Sequence, residues 1–178
     1  MRYNPGFLNS GMKGQPEGFE IRPDHQDKYL LIFKKTIYEF TLNEKNPLIF
    51  VHPDGTWYMP DRHFFTDQAS IPRVLQTLVP KDRFIGPYLH DSCYRHKGLW
   101  VSRTQGRSWL FDDMLREEAD ELLRLMCIYD PFPTNRATAF AIWAGCRMGG
   151  WYGWGRGDER TPEMKNRIDD TKPPIAFA

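Results

Sequence analysis

Nine residues, YLHDSCYRH at 88–96, hold two histidines, an aspartate, a thiol, two tyrosines and an arginine. Adjacent residues on a helix point about 100° apart. His90 and Asp91 can therefore line two walls of one site without meeting at one atom. Tyr94 lies four residues beyond His90 and shares its helical face. A further carboxylate, Asp120, stands in the amphipathic stretch EEADELLRLM, three residues before Leu123 at the edge of the apolar stripe. If the two helices pack antiparallel, Asp120 reaches His90. A carboxylate on one imidazole nitrogen fixes the tautomer and makes the other nitrogen the better base. Upstream, Asp67 in FTDQASIPR sits between a strand end and a proline-started helix. A loop there offers a carboxylate and backbone carbonyls, the hard oxygen donors that calcium prefers. Each signal also has a plain structural reading: a histidine paired with an acid, a solvated Asp120 beside Glu117 and Glu121, and Asp67 as a turn or cap residue.

The elements that must position these residues can be read from pattern. Residues 1–17 are rich in Gly, Pro and Asn and read as an irregular arm. From 18 to about 66 the pattern is β. YLLIFKK (29–35), TIYEFTL (36–42), PLIFVH (47–52) and DGTWYMP (54–60) are short, β-branched and aromatic, with Asp54-Gly55 as a hairpin turn. Three to five antiparallel strands are expected. From about 70 to 150 helices follow. Pro72, with Ser70 as a cap, opens a short one that Pro80 ends. Phe84, Tyr88, Leu89 and Cys93 make the apolar stripe of the helix that carries His90. Residues 97–110, with Gly98 and Gly106, read as a loop. FDDMLREEADELLRLMCI (111–128) reads as an amphipathic helix with Leu115, Ala119, Leu122, Leu123 and Met126 inward and acids in its early turns. RATAFAIWAGCRMGG (136–150) reads as a third helix closed by Gly149-Gly150. Residues 151–178 are a Gly, Trp and Pro-rich tail. The expected fold is α+β, with one domain over 18–150: an N-terminal antiparallel sheet, then a three-helix core.

Bulk properties restrict the function class. The 178 residues suit one compact domain. Lys+Arg 24 against Asp+Glu 23 gives a net charge of +1, which argues against general nucleic-acid binding. No apolar run approaches a transmembrane span, and the first residues carry no secretory h-region. Cys93, Cys127 and Cys146 have no paired spacing, which fits a reduced chain made in the cytoplasm.

In combination, FTDQASIPR, LHDSCYR and EADELLRLM, followed by a small-residue helix ending in glycine, resemble the mostly phage-encoded family catalogued as domain of unknown function 1353. The resemblance spans roughly residues 48 to 150, with Gln68 where glycine is usual. More distantly, HDSCYR resembles the HDxxYR segment of bacterial and fungal secreted phospholipases A2. That second resemblance implies His90 as general base, Asp120 as the acid orienting it, and Tyr94 as support. It also implies Asp91 and Asp67 as calcium ligands and a phospholipase-like helical core. The expected function is a virion-associated phage protein, in the tail or neck or ejected as cargo, with a calcium-dependent ester hydrolase site for lipid or another acyl substrate. Its partners would be other virion proteins, held through both terminal arms. A catalytically silent tail or neck protein is the first alternative. A metal phosphohydrolase of the HD type, recruiting His63 and Asp158, is the second, and the β-rich first third argues against it.

Overall fold

The computed structural model describes residues 4–9, 18–29, 33–66, 85–131, 134–149, 154 and 173–174. In chain order these form β1 (Gly6–Leu8), β2 (Phe19–Tyr29), β3 (Phe33–Leu42), β4 (Ile49–Val51), β5 (Trp57–Met59), β6 (His63–Thr66), α1 (Gly86–His96), β7 (Gly98–Ser102), β8 (Leu110–Asp113), α2 (Arg116–Tyr129) and α3 (Arg136–Gly149). The fold is α+β. One sheet has the order β1-β4-β5-β7-β8 and a second the order β2-β3-β6. Every pairing is antiparallel. No helix among the described residues is long and apolar enough to cross a membrane.

The strands follow their side-chain chemistry. β4 and β5 form the hairpin expected at Asp54-Gly55: Gly55 has φ 92, and the His52 N–H donates to the Thr56 carbonyl at 2.8 Å. Phe40 and Phe64 stack across the β3–β6 pair with ring centroids 4.4 Å apart. Phe19 stacks on Phe40 at 5.0 Å and meets Tyr88 of α1 at 5.0 Å. This aromatic cluster seats the helix on the smaller sheet.

The structure corrects the sequence reading in four places. The N-terminal arm contains β1, whose residues Gly6 to Leu8 pair with Val51 to Ile49 as an edge strand. Residues 97–110 are not simply a loop. All five residues of β7 are buried, and β7 pairs with β5 on one side and β8 on the other. Gly98 is there because its neighbour leaves no space: a Cβ would lie 2.4 Å from the Asp112 carbonyl oxygen. It signals close strand approach rather than a break. The second helix begins at Arg116, because 110–113 are held in β8. Leu115, expected inward, precedes that helix and is 66% exposed. Finally, residues 36–42 are not a separate strand but the end of a continuous β3 that pairs along β2. The short helix expected after Ser70, and most of the C-terminal tail, lie outside the described residues.

Helices α1 and α2 run in opposite directions. The N terminus of α1 lies beside the C terminus of α2, where Asp130 Oδ2 accepts the backbone N–H groups of Ile85 at 3.0 Å and Gly86 at 3.3 Å. Two otherwise orphaned donors are thus satisfied by a residue remote in sequence. Gly86 brings the helices close, since a Cβ there would sit 3.1 Å from the Met126 Cβ. Leu89, Leu123, Met126, Ala139 and Ile142 close the three-helix core. At its start, α2 lacks a polar cap, but the Glu118 carboxylate accepts the Leu115 N–H at 2.7 Å, half of a capping box.

Candidate functional site

The antiparallel crossing of α1 and α2 puts three polar side chains together in this core. His90 Nε2 is 3.0 Å from Asp120 Oδ1. The Tyr94 hydroxyl donates to the same oxygen at 2.5 Å. The His90 and Tyr94 rings, four residues apart on α1, lie 4.2 Å apart between centroids. His90 and Asp120 are 2% and 0% exposed, so their hydrogen bond is shielded from water and correspondingly strong. The Asp120 position three residues before Leu123 turns it inward, where Glu117 and Glu121 remain exposed.

The electrostatics follow from the contacts. Burial pushes the Asp120 carboxyl up, but the hydrogen bonds from His90 and Tyr94 outweigh it and hold the group below the ordinary aspartate range. The Tyr94 hydroxyl is pushed up, first by burial and then by its bond to Asp120. Tyr94 therefore stays protonated and acts as a donor. An ionised Asp120 accepts from His90 Nε2–H, which leaves Nδ1 as the unprotonated nitrogen of the neutral ring. The arrangement can hold a histidine tautomer and stabilise its imidazolium form.

Asp91 lies on the next face of α1, half-buried against β6. Its Oδ2 accepts the hydroxyl of Thr66. Thr66 is the last residue of β6 and immediately precedes Asp67 in the chain. Asp67 itself lies outside the described residues. A carboxylate and a hydroxyl at a strand end are hard oxygens of the kind calcium takes, although no group of three or more His, Cys, Asp or Glu side chains that could hold a metal ion occurs among the described residues.

Three neighbours of the site carried no such signal in the sequence. One is Thr66. Another is Arg147 near the end of α3, whose Nη1 is 3.4 Å from Asp120 Oδ2. The last is Trp154, which packs edge-on against Tyr94 at 5.0 Å. Arg147 was readable only as a cation in a last helical turn, and Trp154 only as one aromatic in a glycine-rich tail.

The remaining candidates stand elsewhere. His63 is on β6 with Nδ1 3.2 Å from the Thr41 hydroxyl, and burial pushes its pKa down. Asp158 lies outside the described residues. His96 Nε2 faces Asp61 Oδ2 at 3.6 Å, away from the His90–Asp120 pair along α1. Cys93, Cys127 and Cys146 are buried and form no disulfide, and burial pushes all three thiols up, as befits core residues rather than reactive thiols. Comparison of the chain with protein-family models, curated proteins and solved structures finds no match.

Proposed function

We propose that this chain is an ester hydrolase of the phospholipase A2 type, acting on lipid or another acyl substrate. The observation that carries the reading is the buried 3.0 Å contact between His90 Nε2 and Asp120 Oδ1, with Tyr94 on the same oxygen. His90 Nδ1 takes a proton from water, and the hydroxide formed attacks the ester carbonyl. The proton then passes from His90 to the alcohol oxygen as the C–O bond breaks, leaving a carboxylic acid and an alcohol. Asp120 stabilises the imidazolium between these steps, and Tyr94 keeps the carboxylate in place. A calcium ion held by Asp91 and Asp67 would supply Lewis-acid stabilisation of the carbonyl oxygen. The setting proposed with it is a phage particle: synthesis in the host cytoplasm, then association with tail, neck or ejected proteins through the terminal arms. That part rests on the family resemblance.

A specific observation favours a second reading, a virion scaffold that keeps the site without the chemistry. His90 is 2% exposed, and Trp154 stands across Tyr94. An ester-hydrolysis assay on phospholipid micelles, with calcium present or chelated, separates the two. The hydrolase reading expects calcium-dependent turnover by the wild type and a loss of at least about a hundredfold in His90→Asn, the scale of one general base. Activity retained in His90→Asn overturns the assignment. A folded wild type inactive under both conditions supports the scaffold.

A further inference from the structure

We infer that Arg147 is a positioning residue for the His90–Asp120 pair, held in place by a surface ion pair with Glu117. The inference rests on the hydrolase reading for its catalytic consequence and on geometry for the rest. Both His90 and Tyr94 load one oxygen of Asp120, Oδ1. These two donors hold one side of the carboxylate. Arg147 Nη1, at 3.4 Å, meets the other oxygen, Oδ2, and a contact on each side of the carboxylate sets its plane. Arg147 is also a cation that touches this fully buried carboxylate directly.

The position of Arg147 is itself fixed from outside. Its Nη2 donates to Glu117 Oε1 at 3.0 Å. Its backbone carbonyl accepts Arg116 Nη1 at 3.2 Å. The guanidinium is a rigid planar fork, so fastening Nη2 at the surface determines where Nη1 points inside. Glu117, Arg116 and Asp120 all belong to α2, and Arg147 belongs to the last turn of α3. The docking of α3 on α2 is thereby transmitted to the orientation of the buried carboxylate, and through it to the His90 ring.

The test compares Arg147→Met, Arg147→Lys and Glu117→Gln in the full chain, at one fixed pH. The readouts are Tm, kcat and KM for calcium-dependent ester hydrolysis, and the low-field proton resonance of His90 Nε2–H, assigned by its loss in His90→Asn. Arg147→Met is expected to shift or broaden that resonance and to lower kcat about tenfold with KM little changed, the scale of one charge-assisted hydrogen bond expressed at the transition state. Arg147→Lys should recover part of both, and Glu117→Gln should move both in the same direction by less. A wild-type resonance and kcat in Arg147→Met, or losses in all variants that only track Tm, overturn the inference. If Arg147→Met fails to fold, Glu117→Gln decides by the same two readouts: movement supports the inference and no movement overturns it. A wild type without hydrolysis overturns the hydrolase reading alone, and the resonance then decides the role of Arg147.

Discussion

Asp120 is a single carboxylate asked to do two things, remain ionised in the core and hold a histidine. Burial alone would favour its neutral form. The hydrogen bonds from His90 and Tyr94 reverse that preference and depress its pKa. A carboxyl whose folded pKa lies below its unfolded one stabilises the fold above the unfolded value, about 3.9. That stability disappears as pH falls through the lower folded value. Asp120→Asn should therefore cost about 2 kcal/mol at neutral pH, as a buried hydrogen bond to a charged group does. It should also flatten the acid limb of Tm against pH. Thermal melts from neutral pH down to pH 2 check this, and parallel curves for the two proteins would refute the coupling. The residue types and spacing of His90, Tyr94 and Asp120 were legible in the sequence, because i to i+4 spacing and an inward edge position are local properties of helices. The partnership of Thr66 with Asp91 was not, since it joins a strand end to a helix 25 residues on.

At the scale of elements, α1 is the piece on which the site depends, and its N terminus is capped from elsewhere. It has no side-chain cap of its own. Asp130, 3% exposed, supplies the acceptor for the Ile85 and Gly86 N–H groups. Asp130→Ala should destabilise the protein by about 1 kcal/mol or somewhat more, the usual loss for a helix cap. It should also raise amide hydrogen exchange at Ile85 and Gly86 ahead of the rest of α1. Urea unfolding and exchange measurements test the two parts, and unchanged protection at both amides would show that the cap is dispensable. Helices α2 and α3 were visible as periodic apolar stripes within a few residues of their observed bounds. The β7–β8 hairpin was not. GLWVS is a short apolar run after a helix, and its glycine looked like a breaker until the close approach of Asp112 and Phe111 explained it.

At the scale of the whole molecule, α1 lies between the smaller sheet, which meets it through Phe19 and Phe40 against Tyr88, and the α2–α3 pair. A ligand bound at the sheet–helix junction beside Asp91 would therefore stabilise the entire fold. Calcium at about 100 times its Kd should add about 2.7 kcal/mol, which corresponds to a rise of a few degrees in Tm for a chain of this size. Asp91→Asn should abolish that rise. Differential scanning fluorimetry with calcium, with magnesium and with chelator measures it. A wild-type Tm indifferent to calcium would remove the ion from the proposed chemistry while leaving the His90–Asp120 pair in place.

The sequence by itself determined the α+β order, the two long helices and the shared helical face of His90 and Tyr94. These rest on periodicity and short-range spacing, which a helix converts directly into faces. Only the tertiary structure decided that Asp120 meets His90, that Arg147 reaches the far oxygen, that Asp130 caps a helix 45 residues before it, and that β1 and β7 belong to one sheet. Those contacts join residues far apart in the chain. Their existence depends on how helices cross and how closely strands approach, set by the volumes of Gly86 and Gly98 and of the side chains packed against them.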